Sequence, residues 1–355
     1  MNGLIDARAT AETVALFRNL GKLSEGGQVL FGHQSATEYG HGWSGDPDRS
    51  DVKSVTGSHP AVIGVDFMGL SGRPRAEIEA NKAALRENVV ATYDRGGVTT
   101  VCWHLANPVS DTDFYWKDDG STAAAVPHLI PGGSHHEAYK AILADIADFS
   151  RSAVGGDGAL VPMIFRPFHE FDGRWFWWGK PHCTPEEFVA LWRFTVGHLR
   201  DDLGVHNFVY CFSPDCLFDS EAQFLERYPG DAWVDMVGMD DYADFGRNGR
   251  YDVAAGVKKL RIVSDYARKA GKLAAFTETG LESVADQNWY TETLLPALKS
   301  DGLRLCYALV WRNDTHSPTH YYAPFPGHPS VPDFLRFCDD PSVLLERDLP
   351  PLYRE

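Results

Sequence analysis

A chain of 355 residues can hold two average domains or one large barrel, and 44% hydrophobic residues with 10 tryptophans can bury a sizeable core. The formal net charge of −16 argues against nucleic acid or an anionic membrane as partner, because phosphates would be repelled. No apolar run is long enough to cross a bilayer, and the 6 cysteines form no CxxC pair, which speaks against a zinc ribbon or a thioredoxin-like site.

The opening Met1-Asn-Gly-Leu-Ile-Asp6 lacks the basic and apolar segments of a secretory leader. The expectation is a cytoplasmic protein, or a secreted or periplasmic one if a leader has been removed. Short apolar runs then recur at 29–33, 61–67, 98–103, 161–165, 208–212, 234–239, 273–277 and 305–311. Each is mostly apolar rather than alternating, as expected of parallel strands covered on both faces. Cys102, Cys211 and Cys306 fall inside these runs and act as small hydrophobes.

Helical patterns separate the runs. The segment 75–95 carries Ile78, Leu85, Val89 and Tyr93 at helical spacing, and 135–154 carries Tyr139, Ile142, Ile146 and Phe149. The segment 184–203 opens with Thr-Pro-Glu-Glu, a capping residue, a first-turn proline and acids near the positive helix end. Segments 252–270 and 288–299 complete the set. Eight strands alternating with helices predict an α/β fold, a single (β/α)8 TIM barrel over residues 1–355 with extended loops on its C-terminal face. A doubly wound open sheet is the alternative, weakened because no Gly-rich nucleotide loop follows the first strand. The Gly/Ser/Asp/Pro-containing stretch 111–133 reads as a wall or lid on the active face, or as a surface insertion without function.

Active sites of such barrels gather at the C-terminal ends of the strands. Polar and aromatic residues cluster there in this sequence: His33, Asp66, His104 with Asn107, Arg166 with His169 and Glu170, Asp215, Asp240 with Tyr242, Glu278, and Trp311 with Arg312. Glu170 ends the fourth strand and Glu278 the seventh, nearly opposite around a barrel. Two carboxyl groups are the minimum equipment for cleaving a glycosidic bond, and a separation of roughly 5–5.5 Å implies retention. One must then be protonated and the other ionised. Glu278 facing Arg166 and Tyr242 suits the ionised role; Glu170 beside the aromatic run suits the acid, because burial raises its pKa. In the run Trp175-Phe-Trp-Trp178, some rings pack beneath a loop and at least one meets ligand. His33, His104 and His169 with Asp66, Asp215 and Asp240 raise a metal hypothesis, but no HxH or HExxH spacing appears. No metal and no cofactor are expected, and the histidines are read as neutral groups that bond sugar hydroxyls or orient the carboxylates. A non-catalytic carbohydrate-binding barrel and a metal-dependent hydrolase of another substrate class stand as rivals.

The motif Arg166-Pro-Phe-His169-Glu170-x-x-Gly173-x-Trp175-Phe-Trp-Trp-Gly179 resembles the acid/base motif of glycoside hydrolase family 26, the β-mannanases. Thr277-Glu278-Thr-Gly280 resembles its nucleophile strand, and Phe31-Gly-His-Gln34, Trp103-His104-x-x-Asn107-Pro108, Asp240-x-Tyr242 and Trp311-Arg312 match in the same order. The resemblance implies double displacement without a metal, with Glu170 as acid/base and Glu278 as nucleophile. It implies that Tyr242 bonds the nucleophile, that His104 and His169 contact the sugar at the cleavage point with Trp311 as its floor, and that Trp175 lies on the leaving-group side. Arg166 and Asp240 would support the carboxylates, and both are counted with Asn107 among the substrate-binding candidates. The implied partner is β-mannan or a manno-oligosaccharide, cut internally by a monomer. Release of mannobiose from a chain end, with 111–133 closing the glycone end of the cleft, and action on β-glucan or xylan stay open as alternatives.

Overall fold

The eight apolar runs become eight parallel strands: β1 Val29–Gln34, β2 Val62–Asp66, β3 Val98–Cys102, β4 Met163–Arg166, β5 Phe208–Phe212, β6 Met236–Asp240, β7 Leu273–Thr279 and β8 Tyr307–Val310. The computed structural model describes residues 3–354. Neighbours pair in chain order, and β8 pairs with both β7 and β1, which closes the sheet into a TIM barrel ringed by helices. The predicted strand bounds shift by no more than two residues at either end.

The predicted helices 75–95, 135–154 and 252–270 form as Arg75–Asp94, His136–Ser152 and Val253–Ala270. The predicted 184–203 is α-helical only over Pro185–Gly197 and widens into a π-turn over His198–Asp202. The predicted 288–299 begins in a π-turn, Tyr290–Leu294, and its α-helical part is Leu295–Leu298. Pro296 has no amide hydrogen to give a regular helix there. The helices Ala11–Glu25, Asp51–Thr56 and Val331–Cys338 were not among the predicted elements. Among the described residues, no helix is long and apolar enough to cross a membrane.

Strand side chains alternate, so each strand feeds two cores. Leu30, Val62, Val98, Ile164, Val209, Met236 and Leu309 form one buried cluster with Leu16, Phe17 and Leu20 of the helix Ala11–Glu25, which therefore plugs the N-terminal end of the barrel. The other parity, including Phe31, Val101, Phe165, Phe212 and Phe276, packs outward against the helices. Continuing the inward parity along each strand brings Gln34, Cys102, Arg166, Thr277 and Asp240 inside at the C-terminal end. Two glycines make room for this polar layer. A Cβ on Gly64 would lie 2.0 Å from the Gln34 Oε1, and one on Gly238 would lie 2.4 Å from the Thr277 Cγ2.

The helix Pro185–Gly197 behind β4 is held at its start by a capping box: Thr184 accepts from the Glu187 amide at 3.2 Å while Glu187 accepts from the Thr184 amide at 2.8 Å. Replacing Thr184 with alanine should cost about 1 kcal/mol of stability. Urea unfolding of the variant checks this, and an unchanged midpoint would mean the box contributes nothing.

Candidate active site

Arg166 sits at the end of β4 on the inward parity, only 2% exposed. Its guanidinium reaches across the barrel to β6 and β7. One nitrogen donates to Asp240 at 2.8 Å and to the Ser213 hydroxyl at 3.1 Å; another pairs with Glu278. Asp240 also accepts from the Thr277 hydroxyl at 2.6 Å. Burial opposes the guanidinium charge, and the two carboxylates outweigh it, holding the arginine well above its ordinary pKa. Burial likewise pushes the Asp240 carboxyl well up, Arg166 pulls it back, and Glu278 and Glu170 add to the rise.

Glu170 arrives from the turn after β4. The backbone there is left-handed at Phe168 and at Glu170 (φ 52° and 53°), a conformation that non-glycine residues hold only when the surroundings impose it. The surroundings are the aromatic run. The Trp178 indole donates to the His169 carbonyl and the Trp177 indole to the Leu105 carbonyl, both at 2.8 Å. Phe176, Trp177 and Trp178 are buried, whereas Trp175 stays half-exposed and donates to Glu170 Oε2 at 2.5 Å. Gly173 permits that fold-back, since a Cβ would lie 2.4 Å from the Trp175 ring.

One oxygen each from Glu170, Asp240 and Glu278 lie within 4.8 Å of one another. The two glutamates nevertheless have opposite settings. Glu278 faces Arg166 and accepts from the Tyr242 hydroxyl at 3.0 Å. Glu170 is driven well above the ordinary carboxyl range by burial, then by Asp215 and Glu278, against the pull of Trp175 and Arg166. Such a pair can combine a proton donor with a nucleophile.

His104 lies between the glutamates and the far side of the cleft. Asp66 binds its Nδ1 at 2.6 Å and its amide at 3.1 Å, which fixes the ring and directs Nε2 elsewhere. His169 stands edge-on to His104 with ring centroids 4.6 Å apart, and burial, then Arg166, hold it well below the usual histidine value and therefore neutral. Trp311 closes the floor, 5.9 Å from the His104 ring. Donor atoms of Asp66, Cys102 and His104 also lie close together, as do those of the three acids. Hydrogen bonds account for the first group, and the Arg166 charge meets the second.

The cleft of about 300 Å³ is lined by His104, His169, Glu170, Trp175, Tyr242, Glu278 and Trp311 of the expected residues. Three others do not meet it. Arg166 and Asp240 lie beneath the carboxylates, at 2% and 0% exposure, and act on the cleft through them. Asn107 spends its amide on its own loop, donating to the Ala123 carbonyl at 2.8 Å and accepting from the Val109 and Ser110 amides. This is the turn chemistry that an Asn-Pro pair ordinarily signals. His33 is fully buried, and burial lowers its pKa to about 4. The cleft also takes Tyr115, Arg247, His320 and Tyr322, which reading the strand ends did not reach because they stand on loops. The aromatic run Phe114-Tyr115-Trp116 inside 111–133 was the available signal for the first.

That loop lies along the segment after β4: the Trp116 amide donates to the Trp175 carbonyl at 2.7 Å, and Tyr115 bridges Phe176. It walls the cleft on that side. Beyond His104 and Trp311 a cavity of about 790 Å³ continues past Gln34, Tyr39, Asn81 and Arg312. Phe114 and Tyr115 of the same loop line that cavity where it joins the cleft.

Residues 5–283 match the profile described as glycosyl hydrolase family 26. A mannan endo-1,4-beta-mannosidase of Bifidobacterium adolescentis is 34% identical over 96% of this chain, which spans 35% of that protein's length. A solved GH26 structure from Muricauda sp. superposes with TM-score 0.92 at 40% identity, covering 99% of this chain and 96% of that one. A GH26 beta-mannanase from Bacteroides ovatus superposes with TM-score 0.89 at 39% identity, covering 98% of both chains.

Replacing Arg166 with methionine strips the buried acids of their counter-charge and should cost about 3–5 kcal/mol. Equilibrium unfolding in urea measures the loss, and one below about 1 kcal/mol would contradict the counter-charge role.

Proposed function

This chain belongs to glycosyl hydrolase family 26, and from that premise we propose that it is an endo-acting β-1,4-mannanase working by double displacement with retention. The observation that carries the reading is the pair of glutamates. Their oxygens approach within 4.8 Å, near the separation of retaining enzymes, and their surroundings differ in the required sense.

In the first step Glu278 attacks the anomeric carbon while Glu170 gives its proton to the departing glycosidic oxygen. Arg166 and Tyr242 hold the Glu278 carboxylate in line for attack. Charge then leaves Glu278 as the ester forms, and Glu170 becomes ionised. In the second step Glu170 takes a proton from water, which attacks the same carbon and frees Glu278. The Trp175 indole bonds Glu170 Oε2 and stabilises the ionised form reached between the steps. His104 and His169 contact the reacting sugar, and Trp311 lies under it.

An internal cut needs room on both sides of the reacting sugar. The cavity of about 790 Å³ beyond Trp311 and His104 supports a glycone arm of several sugars, and Trp175 marks the leaving-group side. The Bifidobacterium and Bacteroides relatives are described as mannan-cleaving, which supports mannan as substrate. Product profiles on linear mannan, galactomannan, mixed-linkage glucan and xylan test this. A ladder of manno-oligosaccharides is expected; mannobiose as the sole early product, or preference for glucan or xylan, overturns it.

Glu278→Ala should abolish mannan hydrolysis, and Glu170→Ala should lower it about 100- to 10,000-fold. The Glu170 variant should keep more activity on an aryl mannobioside with an acidic leaving group, which needs no proton. Near wild-type mannan turnover by either folded variant would sink the assignment.

Trp175→Phe removes a donor to the ionised form of Glu170, so the carboxyl pKa rises further. Glu170 must be protonated in the first step. The alkaline limb of kcat/KM against pH should therefore move to higher pH, and a shift to lower pH would refute this placement of the acid.

A further inference from the structure

The catalytic cleft has a second neighbour besides the glycone cavity. A pocket of about 320 Å³ lies among Gly246, Asn248, Leu281, Glu282, Ser283 and Thr319, on the loops that follow β6, β7 and β8. It shares Tyr242, Arg247 and Tyr322 with the cleft, and shares none of the glycone cavity's lining. The two cavities therefore open from different parts of the central cleft. The glycone cavity meets it at His104, Tyr115, Trp311 and His320; the smaller pocket meets it at the tyrosine that bonds Glu278.

Arg247 stands at that junction. Its guanidinium lies over the Tyr242 ring, 4.6 Å from the centroid, a contact that orders the side chain. The residue is exposed, and it makes no ion pair among the described residues. In a chain with 49 acids and 33 lysines and arginines, an arginine in the cleft without a carboxylate is unusual. By contrast, Arg312 in the glycone cavity is paired with Asp314 at 2.7 Å. Glu282, the acid of the smaller pocket, engages His320 at 2.8 Å and does not pair with Arg247. The guanidinium also engages the Tyr322 side chain, and with five N–H donors it keeps others that can bond the hydroxyls of a neutral sugar. The adjacent Thr319 hydroxyl suits the same polyol chemistry, whereas Ser283 donates its hydroxyl hydrogen to the Thr319 carbonyl at 2.6 Å.

We infer that Arg247 and the pocket behind it bind a sugar of the leaving group, facing Trp175 across the cleft, and so help decide which bond of a mannan chain is cut. This rests on the mannanase reading above and adds a specificity-determining residue to it. The recognised group is a neutral β-linked hexose. An anionic substituent would meet Glu282 in the same pocket.

The experiment compares the wild-type protein, Arg247→Ala and Arg247→Lys on two substrates, mannohexaose and an aryl mannobioside. The second has an aryl group where the first has leaving-group sugars. Arg247→Ala should lower kcat/KM on mannohexaose at least about tenfold more than on the aryl substrate, mainly through KM, because a charge-assisted hydrogen bond is lost only with the sugar. It should also move the favoured cleavage site along mannohexaose, read as a changed ratio of early products. Arg247→Lys should recover part of the loss, since one ammonium replaces a two-pronged donor. Equal losses on both substrates would assign Arg247 to positioning Tyr242 and overturn the inference, as would an unchanged product ratio. A folded wild-type protein inert on mannohexaose would overturn the mannanase reading itself.

Discussion

One buried guanidinium organises the catalytic end of this barrel. Arg166 projects from β4 into the inner layer, where it binds Asp240 of β6 and Glu278 of β7. A charge in such a place is costly unless it is paired and hydrogen-bonded. The carboxyls around it are equally costly without the arginine. Each therefore requires the others, and the three strands that carry them are tied together at the point where a substrate would react. The same contacts orient Glu278, so the arrangement that makes the inner layer tolerable also aims the nucleophile proposed for it.

The second organising feature is the aromatic run after β4. Its residues divide the work that one stretch of sequence presents as a block. Trp177 and Trp178 are buried and use their indole nitrogens to hold backbone carbonyls. They fix a turn whose left-handed residues would otherwise relax. Trp175 stays in the cleft, on the acid, with Phe176 behind it in the wall. Glu170 is thus held by a backbone under constraint and a side chain in an apolar setting, while Glu278 is held by charge. Two residues of one type acquire different chemistry from different neighbours, the requirement for a proton donor and a nucleophile to coexist a few ångströms apart.

The cleft extends in two ways from this centre. Toward β1, β2 and β8 it widens into a large cavity with an arginine paired to an acid; toward the loops after β6 and β7 it meets a smaller pocket whose arginine makes no ion pair among the described residues. The long loop 111–133 lies against the segment after β4, and its Phe114 and Tyr115 also line the larger cavity. An internal mode of cutting agrees with that geometry, and loop residues rather than strand-end residues supply most of the lining away from the reacting bond.

Much of this was legible in the sequence. Apolar runs of strand length separated by amphipathic segments predict a barrel, because a parallel strand covered on both faces must be apolar throughout. The acids at the ends of β4 and β7 were likewise readable, since the topology of a closed barrel brings strand ends to one mouth. The plugging helix Ala11–Glu25 was missed although its pattern is helical, because its place becomes evident only once the barrel has an open end to fill. Asn107 looked like a ligand contact and proved to be a turn former; Arg166 and Asp240, counted among the substrate-binding candidates but also expected to support the carboxylates, lie beneath the cleft in that supporting position. Strand-end position says which mouth a residue belongs to, whereas its depth and partners depend on side chains from strands far apart in the chain. Arg247, His320 and Tyr322 were beyond reach for the same reason. Local sequence determined the elements and the chemical groups they carry; three-dimensional packing decided which groups touch, because hydrogen bonds and desolvation act through space and not along the chain.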